Sequence, residues 1–221
     1  IRDLVRSRGL GDVYKRQILT HDETAALKAL DHRGWRSQII DVTFDRASGA
    51  KGLVPALRRI CAEAEAAANA DTSVVILSDR AVAADRPAVS MLLAAGAVHQ
   101  HLIRRSKRTR IALVAETAEA SEVHHHCLLI GFGVDAINPY LALEALWQAR
   151  QDDKLIGEAL ATDADVVAAY RKGVVKGMLK VMGKMGISTL QSYKGAQIFE
   201  AVGLHSDVIS LCFTDTASRL E

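Results

Sequence analysis

Five of the eight histidines fall in two groups, His99 with His101 and His124-His125-His126, and grouped imidazoles suggest zinc ligation. The spacing argues against a site within either group. Helical zinc sites use an i, i+4 pair on one face, whereas an i, i+2 pair points to opposite sides and three consecutive residues spread over about 200° of the barrel. Packing and hydrogen bonding at sheet ends is the expected role, and no metal site is assigned. Gly131-Phe132-Gly133-Val134-Asp135-Ala136 fits the G-x-G-x-x-A of a dinucleotide loop, with Asp152 and Asp153 near the offset of a ribose-binding carboxylate. Such a loop works only between a strand and a helix, because the helix N-terminus holds the pyrophosphate. Here the residues before Gly131 read as a helix, Pro139 would strip a hydrogen bond from a following helix, and no strand leads into Asp152. A glycine-ended helix is preferred, and a free-standing Rossmann-like nucleotide-binding module is the alternative.

Ser78-Asp79-Arg80 and Glu116-Thr117 each follow a short apolar run, the place where ligands gather in parallel sheets. Asp79, Arg80 and Glu116 either line a cleft or domain interface, or cap turns and pair with one another; the sequence leaves both open. There is no G-x-S-x-G, no P-loop and no carboxylate pair flanked by aromatics, so no catalytic residue is assigned. Cys61, Cys127 and Cys212 lie 66 and 85 residues apart, without a C-x-x-C, and read as small buried hydrophobes of a chain in a reducing cytosol. The most distinctive segment is Lys180–Leu204. Two helices meet there at Met185-Gly186-Ile187-Ser188. Gly186 permits a positive φ, and Ser188 or Thr189 caps a second helix whose free N–H groups could hold a phosphate or carboxylate. The plainer reading is a tight corner packed by Met182 and Met185.

The elements that must carry these residues alternate. Asp22 is placed as the cap of a first helix ending near Gly34, and 38–44 reads as a β-branched strand. Helix is expected over 51–69, a buried strand over 73–78, and a helix opened by Asp85 and Pro87 and running to about Arg105. Strand 111–115, a helix capped by Ser121 over 122–130, a brief strand at Ala136-Ile137 and helices over 141–149 and 163–184 follow, then a last helix ended by Gly203. Strands separated by helices imply right-handed crossovers. The fold class is α/β, a mostly parallel sheet covered by helices on both faces in a Rossmann-like three-layer arrangement, with a C-terminal helical extension.

Composition sets the bounds. The 221 residues are 49% hydrophobic and 24% charged, a globular balance that excludes disorder. No apolar run approaches the roughly 20 residues of a membrane span. The formal net charge of +2 gives no call for nucleic acid or a membrane surface. That charge is uneven: Ile1–Gln17 holds five basic and two acidic residues, +3, while the other 204 residues sum to −1. The chain opens on Ile rather than Met, and Ile1–Gln17 has no apolar core of a signal peptide. It reads as a non-native stretch, poorly packed, joined at Ile18, with a basic arm as the other possibility.

Lys180–Leu204 closely resembles the end of the central domain of the glutamate synthase large subunit. Other landmarks follow in order: Leu77-Ser-Asp-Arg80, Leu92–Arg104, Val114-Ala-Glu-Thr117, Glu122-Val-His-His125, Ala136–Ala142 and Phe213–Arg219. Gln100, Gly183 and Lys194 stand where the family often has His, Ser and Arg. The resemblance covers Ile18 to Glu221, with 18–204 as a partial central domain and 205–221 as the start of the linker to a flavin barrel. It implies a parent enzyme that turns glutamine and 2-oxoglutarate into two glutamates. In it an amidotransferase domain releases ammonia, an FMN barrel reduces the imine, and an iron–sulfur cluster passes electrons from an NADPH-oxidising small subunit or from ferredoxin. The fragment, expected in the cytoplasm, holds neither cofactor on this reading and is inactive alone; its domain partners are the amidotransferase and FMN domains of the same chain. It helps wall the ammonia path, and Lys184, Met185, Gly186, Ser188, Thr189 and Gln191 are the residues expected to face the barrel or that path.

Overall fold

Helix and strand alternate along the computed structural model, which describes residues 17–155, 157 and 160–219; of the stretch Ile1–Gln17 only Gln17 is among them. The elements are α1 (His21–Lys28), β1 (Asp31–His32), β2 (Trp35–Asp41), α2 (Leu53–Asn69), β3 (Val74–Ser78), α3 (Met91–Arg104), β4 (Ala112–Glu116), α4 (Val123–Gly131), β5 (Ala136–Asn138), α5 (Tyr140–Gln151), α6 (Asp163–Lys184), α7 (Leu190–Tyr193), β6 (Ala201–Val202), α8 (Ser206–Cys212) and β7 (Ser218–Arg219). The main sheet runs β1-β2-β3-β4-β5, parallel from β2 to β5, with β1 antiparallel at one edge. Beside β5, the backbone at 17–19 adds a further parallel pairing: Ile137 N donates to Gln17 O at 2.7 Å, and Leu19 N to Ile137 O at 2.8 Å.

This order fixes where the helices go. Each step from β2 to β5 moves one strand in the same direction, so right-handed crossovers put α2, α3 and α4 on one face. The return from Leu19 to β2 crosses the sheet the other way and puts α1 on the opposite face. The packing follows. Ile40, Val42, Val75, Leu77, Leu113, Ala115 and Ile137 join the large core with Leu57, Ile60, Val98, Leu102 and Ile130. Val74, Ile76 and Val114 point the other way and meet Leu19, Leu27 and Leu30. All five residues of β3 are therefore buried, as the period of two requires for a central parallel strand. The result is a three-layer α/β domain. A small parallel pair, β6 with β7 around α8, adds the C-terminal extension. Among the described residues no helix is long and apolar enough to cross a membrane.

Several expected element ends move, for physical reasons. The first helix is capped by Thr20 in a capping box with Glu23, not by Asp22. It stops at Lys28, and Gly34, with Arg33, instead turns the β1–β2 hairpin at positive φ. Asp85 and Pro87 start no helix. Their carbonyls are taken by Arg46 N at 2.9 Å and Phe44 N at 3.0 Å, and the chain makes a tight turn at 84–85 closed by the Ala83–Arg86 bridge. The helix begins at Met91, whose N–H is capped by Glu119 Oε2 at 3.0 Å. Ser121 does not cap α4; the N-cap position is Glu122, without a side-chain bond. The final expected helix shrinks to one turn, α7, capped by Thr189. Lys194 pairs with Asp135, and Gly195 N donates to Gly131 O at 2.9 Å, which draws the chain out of the helix.

Candidate functional site

The carboxyl ends of β3, β4 and β5 bring Ser78, Asp79, Arg80, Glu116, Thr117 and Asn138 to one edge. Glu116, with its side chain 3% exposed, is the centre. It accepts from Ser78 Oγ at 2.5 Å, Lys28 Nζ at 2.7 Å and Arg80 Nε at 2.9 Å. Burial acts to raise its pKa, but the bonds from Lys28, Ser78 and Arg80 outweigh it and hold the carboxylate below its usual range. Arg80 lies over the Tyr140 ring, 4.0 Å to the centroid, and reaches Glu144 at 3.2 Å. Asp79 accepts from Thr117 Oγ1 at 2.7 Å and Ala118 N at 3.0 Å. Burial and a hydrogen bond with Asp79 raise the Tyr140 phenol above its ordinary value. Asp79, Arg80 and Glu116 are engaged in turn capping and ion pairing within the domain. Lys28 and Glu144, which complete the set, gave no signal in sequence because they come from 88 and 64 residues away across the fold.

A second charge cluster sits at the opposite edge, just ahead of β5. Asp135 accepts from Arg108 Nη2 at 2.9 Å and from Leu113 N at 2.7 Å, and pairs with Lys194. Burial opposes ionisation of Asp135, but Arg108 and Lys194 overcome it and keep the pKa low. Arg108 Nε also donates to His99 Nδ1 at 3.0 Å.

The two glycines of the G-x-G belong to this cluster. The order is helix, glycines, strand, the reverse of a dinucleotide loop. A Cβ on Gly131 would lie 2.8 Å from the Phe199 ring, and one on Gly133, at φ +108°, would overlap the His99 imidazole. Both are small because side chains pack against them, which leaves the nucleotide-module alternative without its loop. Asp152 is the C-cap of α5, paired with Lys154 at 2.8 Å.

The histidines take separate partners. His101 Nε2 lies 2.7 Å from Glu65, which Lys107 and His101 together hold down to about 2. His125 turns back to Ser121 at 3.3 Å, and His126 Nδ1 lies 2.9 Å from Glu122 O. Among the described residues no three metal-ligating side chains come together. Burial lowers both His99 and His126 from 6.5 to about 4, so the folded chain holds them neutral. Their stabilising effect is full above 6.5 and falls with acidification, because the unfolded chain takes up protons first. The urea midpoint is expected to drop between about pH 6.5 and pH 5, above the range where carboxylates contribute, and His126→Gln should flatten the slope. A flat midpoint over that interval would contradict the two neutral imidazoles.

The three cysteines are free and buried on α2, α4 and α8. Burial pushes Cys61 up to about 11 and Cys212 up to about 12, far from reactive thiolates. Lys184, Met185, Gly186, Ser188, Thr189 and Gln191 all lie exposed after the end of α6 or at it, with Gly186 at φ +68°. They are apart from both charge clusters, although Lys194 and Gly195 tether the segment to the amino edge of the sheet.

Fold and edge chemistry thus define a three-layer α/β domain whose charged groups are spent mainly on holding its own loops. The chain belongs to the glutamate synthase central domain family, whose model matches residues 13–205. It is 46% identical to the NADH glutamate synthase of Schizosaccharomyces pombe over 206 residues, covering 92% of this chain and 10% of that protein. It is 43% identical to the NADPH glutamate synthase large chain of Bacillus subtilis, over 92% of this chain and 13% of that one. It is 41% identical to the chloroplastic ferredoxin-dependent glutamate synthase 2 of Arabidopsis thaliana, over 84% and 12%. The chain therefore spans about a tenth of the length of the curated relatives it matches. Among solved structures, a mutant flavocytochrome b2 with benzoylformate overlays at a TM-score of 0.46 and 11% identity, over 73% of this chain and 39% of that one, a likeness too slight to carry weight.

Proposed function

We propose that this chain is the central-domain portion of a glutamate synthase, an oxidoreductase that takes glutamine, 2-oxoglutarate and two reducing equivalents to two glutamates. The observation that carries the reading is 46% identity over 206 residues to one such enzyme. In the parent, the domain joins the amidotransferase domain to the FMN domain and helps wall the path of ammonia between them. It is not catalytic alone. FMN and an iron–sulfur cluster belong to other parts of the parent. Cys61, Cys127 and Cys212 sit on three different helices and do not fit a cluster. Electrons come from a nicotinamide-oxidising partner or from ferredoxin, in keeping with the NADH, NADPH and ferredoxin forms among the relatives. The paired edges support a linking role, since neither Glu116 nor Asp135 is free to move a proton.

Lys184, Met185, Gly186, Ser188, Thr189 and Gln191 are the proposed contact with the barrel or the ammonia path, supported by their shared exposure. Valine at Gly186, a β-branched residue at φ +68°, would distort this segment locally, although a Cβ there meets no neighbour within 4 Å. In a full-length enzyme, Gly186→Val is expected to let glutamine hydrolysis run ahead of glutamate synthesis. Rates that stay matched and unchanged would remove the segment from the path.

A further inference from the structure

A cavity of about 220 Å³ opens between α3, the turn after α4, the 195–199 segment and the turn before β7. Its lining combines a neutral donor, a free carboxylate and an aromatic wall. The donor is His99. Arg108 Nε–H points at His99 Nδ1 across 3.0 Å, so Nδ1 is an acceptor and the ring proton sits on Nε2. The ring lines the cavity, and among the described residues its hydrogen bond is the one at Nδ1. The ring lies against Gly133. Arg108 and Lys194 stand against the single carboxylate of Asp135, which leaves an excess positive charge behind His99.

Asp215 lines the same cavity, exposed and without a hydrogen bond or ion pair among the described residues. Asp215 at φ +65° and Gln197 at φ +53° both adopt the left-handed region without being glycine. Phe132 and Phe199, ring centroids 6.0 Å apart, form the apolar wall. The volume is below the range of drug-sized sites, roughly 300 Å³ and up.

A donor backed by positive charge and a lone carboxylate in the lining of one cavity match a molecule bearing one charge of each sign. We propose that this cavity binds a small zwitterionic α-amino acid, its carboxylate on His99 Nε2 and its ammonium on Asp215. The proposal stands apart from the parent's reaction, and its failure would leave that reading intact.

Calorimetric titration of the 221-residue chain with L-glutamine is the test. Saturable binding is expected, weakened about tenfold or more in Asp215→Asn and in His99→Gln. Acetate and methylammonium, each with one of the two charges, should bind far more weakly. Asparagine tolerates the left-handed region, and Asp215 is exposed, so Asp215→Asn keeps the fold even where His99→Gln does not. No saturable heat at millimolar L-glutamine, or equal affinity in Asp215→Asn, would overturn the site.

Discussion

Glu116→Ala is expected to lower the unfolding free energy by about 3–5 kcal/mol, the cost of leaving charges without their buried partner. Three donors converge on this side chain, which is 3% exposed, and two of them are the cations Lys28 and Arg80. Losing the carboxylate leaves Lys28 without its partner, leaves Arg80 with Glu144 alone and frees Ser78 Oγ from its bond. Ser78→Ala alone removes one neutral donor and should cost only about 1 kcal/mol. The sign with pH follows from the lowered pKa of Glu116. Its contribution is full above the ordinary value of 4.5 and is lost as the pH falls through the folded value. Denaturant unfolding of the variant at neutral pH reads the first number directly. A loss under about 1 kcal/mol would mean that water, not Glu116, neutralises the two cations.

Gly133→Ala carries the second large effect, about 3 kcal/mol or more, from two sources that add. The backbone at φ +108° is closed to side chains, and the new methyl would overlap the His99 ring. Pushing the imidazole away also strains its bond from Arg108, which spans Gly133 O and Asp135 as well. The two sources separate in a double mutant. His99→Ala removes the clash but not the backbone strain, so Gly133→Ala on that background should cost less than on the parent, though still more than about 1 kcal/mol. A Gly133→Ala variant within about 0.5 kcal/mol of the parent would mean that the helix end relaxes freely, and would weaken the packing explanation of the G-x-G.

Periodicity carried most of the fold. The fully apolar 73–78 run announced a central strand, and the helix over Asp163–Lys184 was readable to its ends because Thr162 and Asp165 form a capping box and Lys184 closes it. What failed were ends decided by distant residues. Nothing near Met91 reveals that Glu119 caps it, and nothing near Tyr193 reveals that Asp135 will draw Lys194 aside. The two-residue strands β1, β6 and β7 are too short to show a period. At the candidate site, the carboxyl-end rule found Asp79, Arg80 and Glu116, but their choice of partners depended on Lys28 and Glu144, which only the sheet order brings near. The exposed segment from Lys184 to Gln191 stood out through the family resemblance of its residues, which a physical reading of helix corners does not distinguish from plain packing.

The most direct measurement of the central claim is a graft. Residues 18–204 replace the matching segment of the full-length Schizosaccharomyces pombe enzyme, to which the chain is 46% identical, and glutamate formation from glutamine, 2-oxoglutarate and NADH is followed. If this chain is a glutamate synthase central domain that links and does not catalyse, the chimera keeps its rate within about tenfold, or about 1.4 kcal/mol, and the 221-residue chain alone forms no glutamate. A folded, cofactor-loaded chimera with no glutamate formation, or turnover by the isolated chain, would contradict the account.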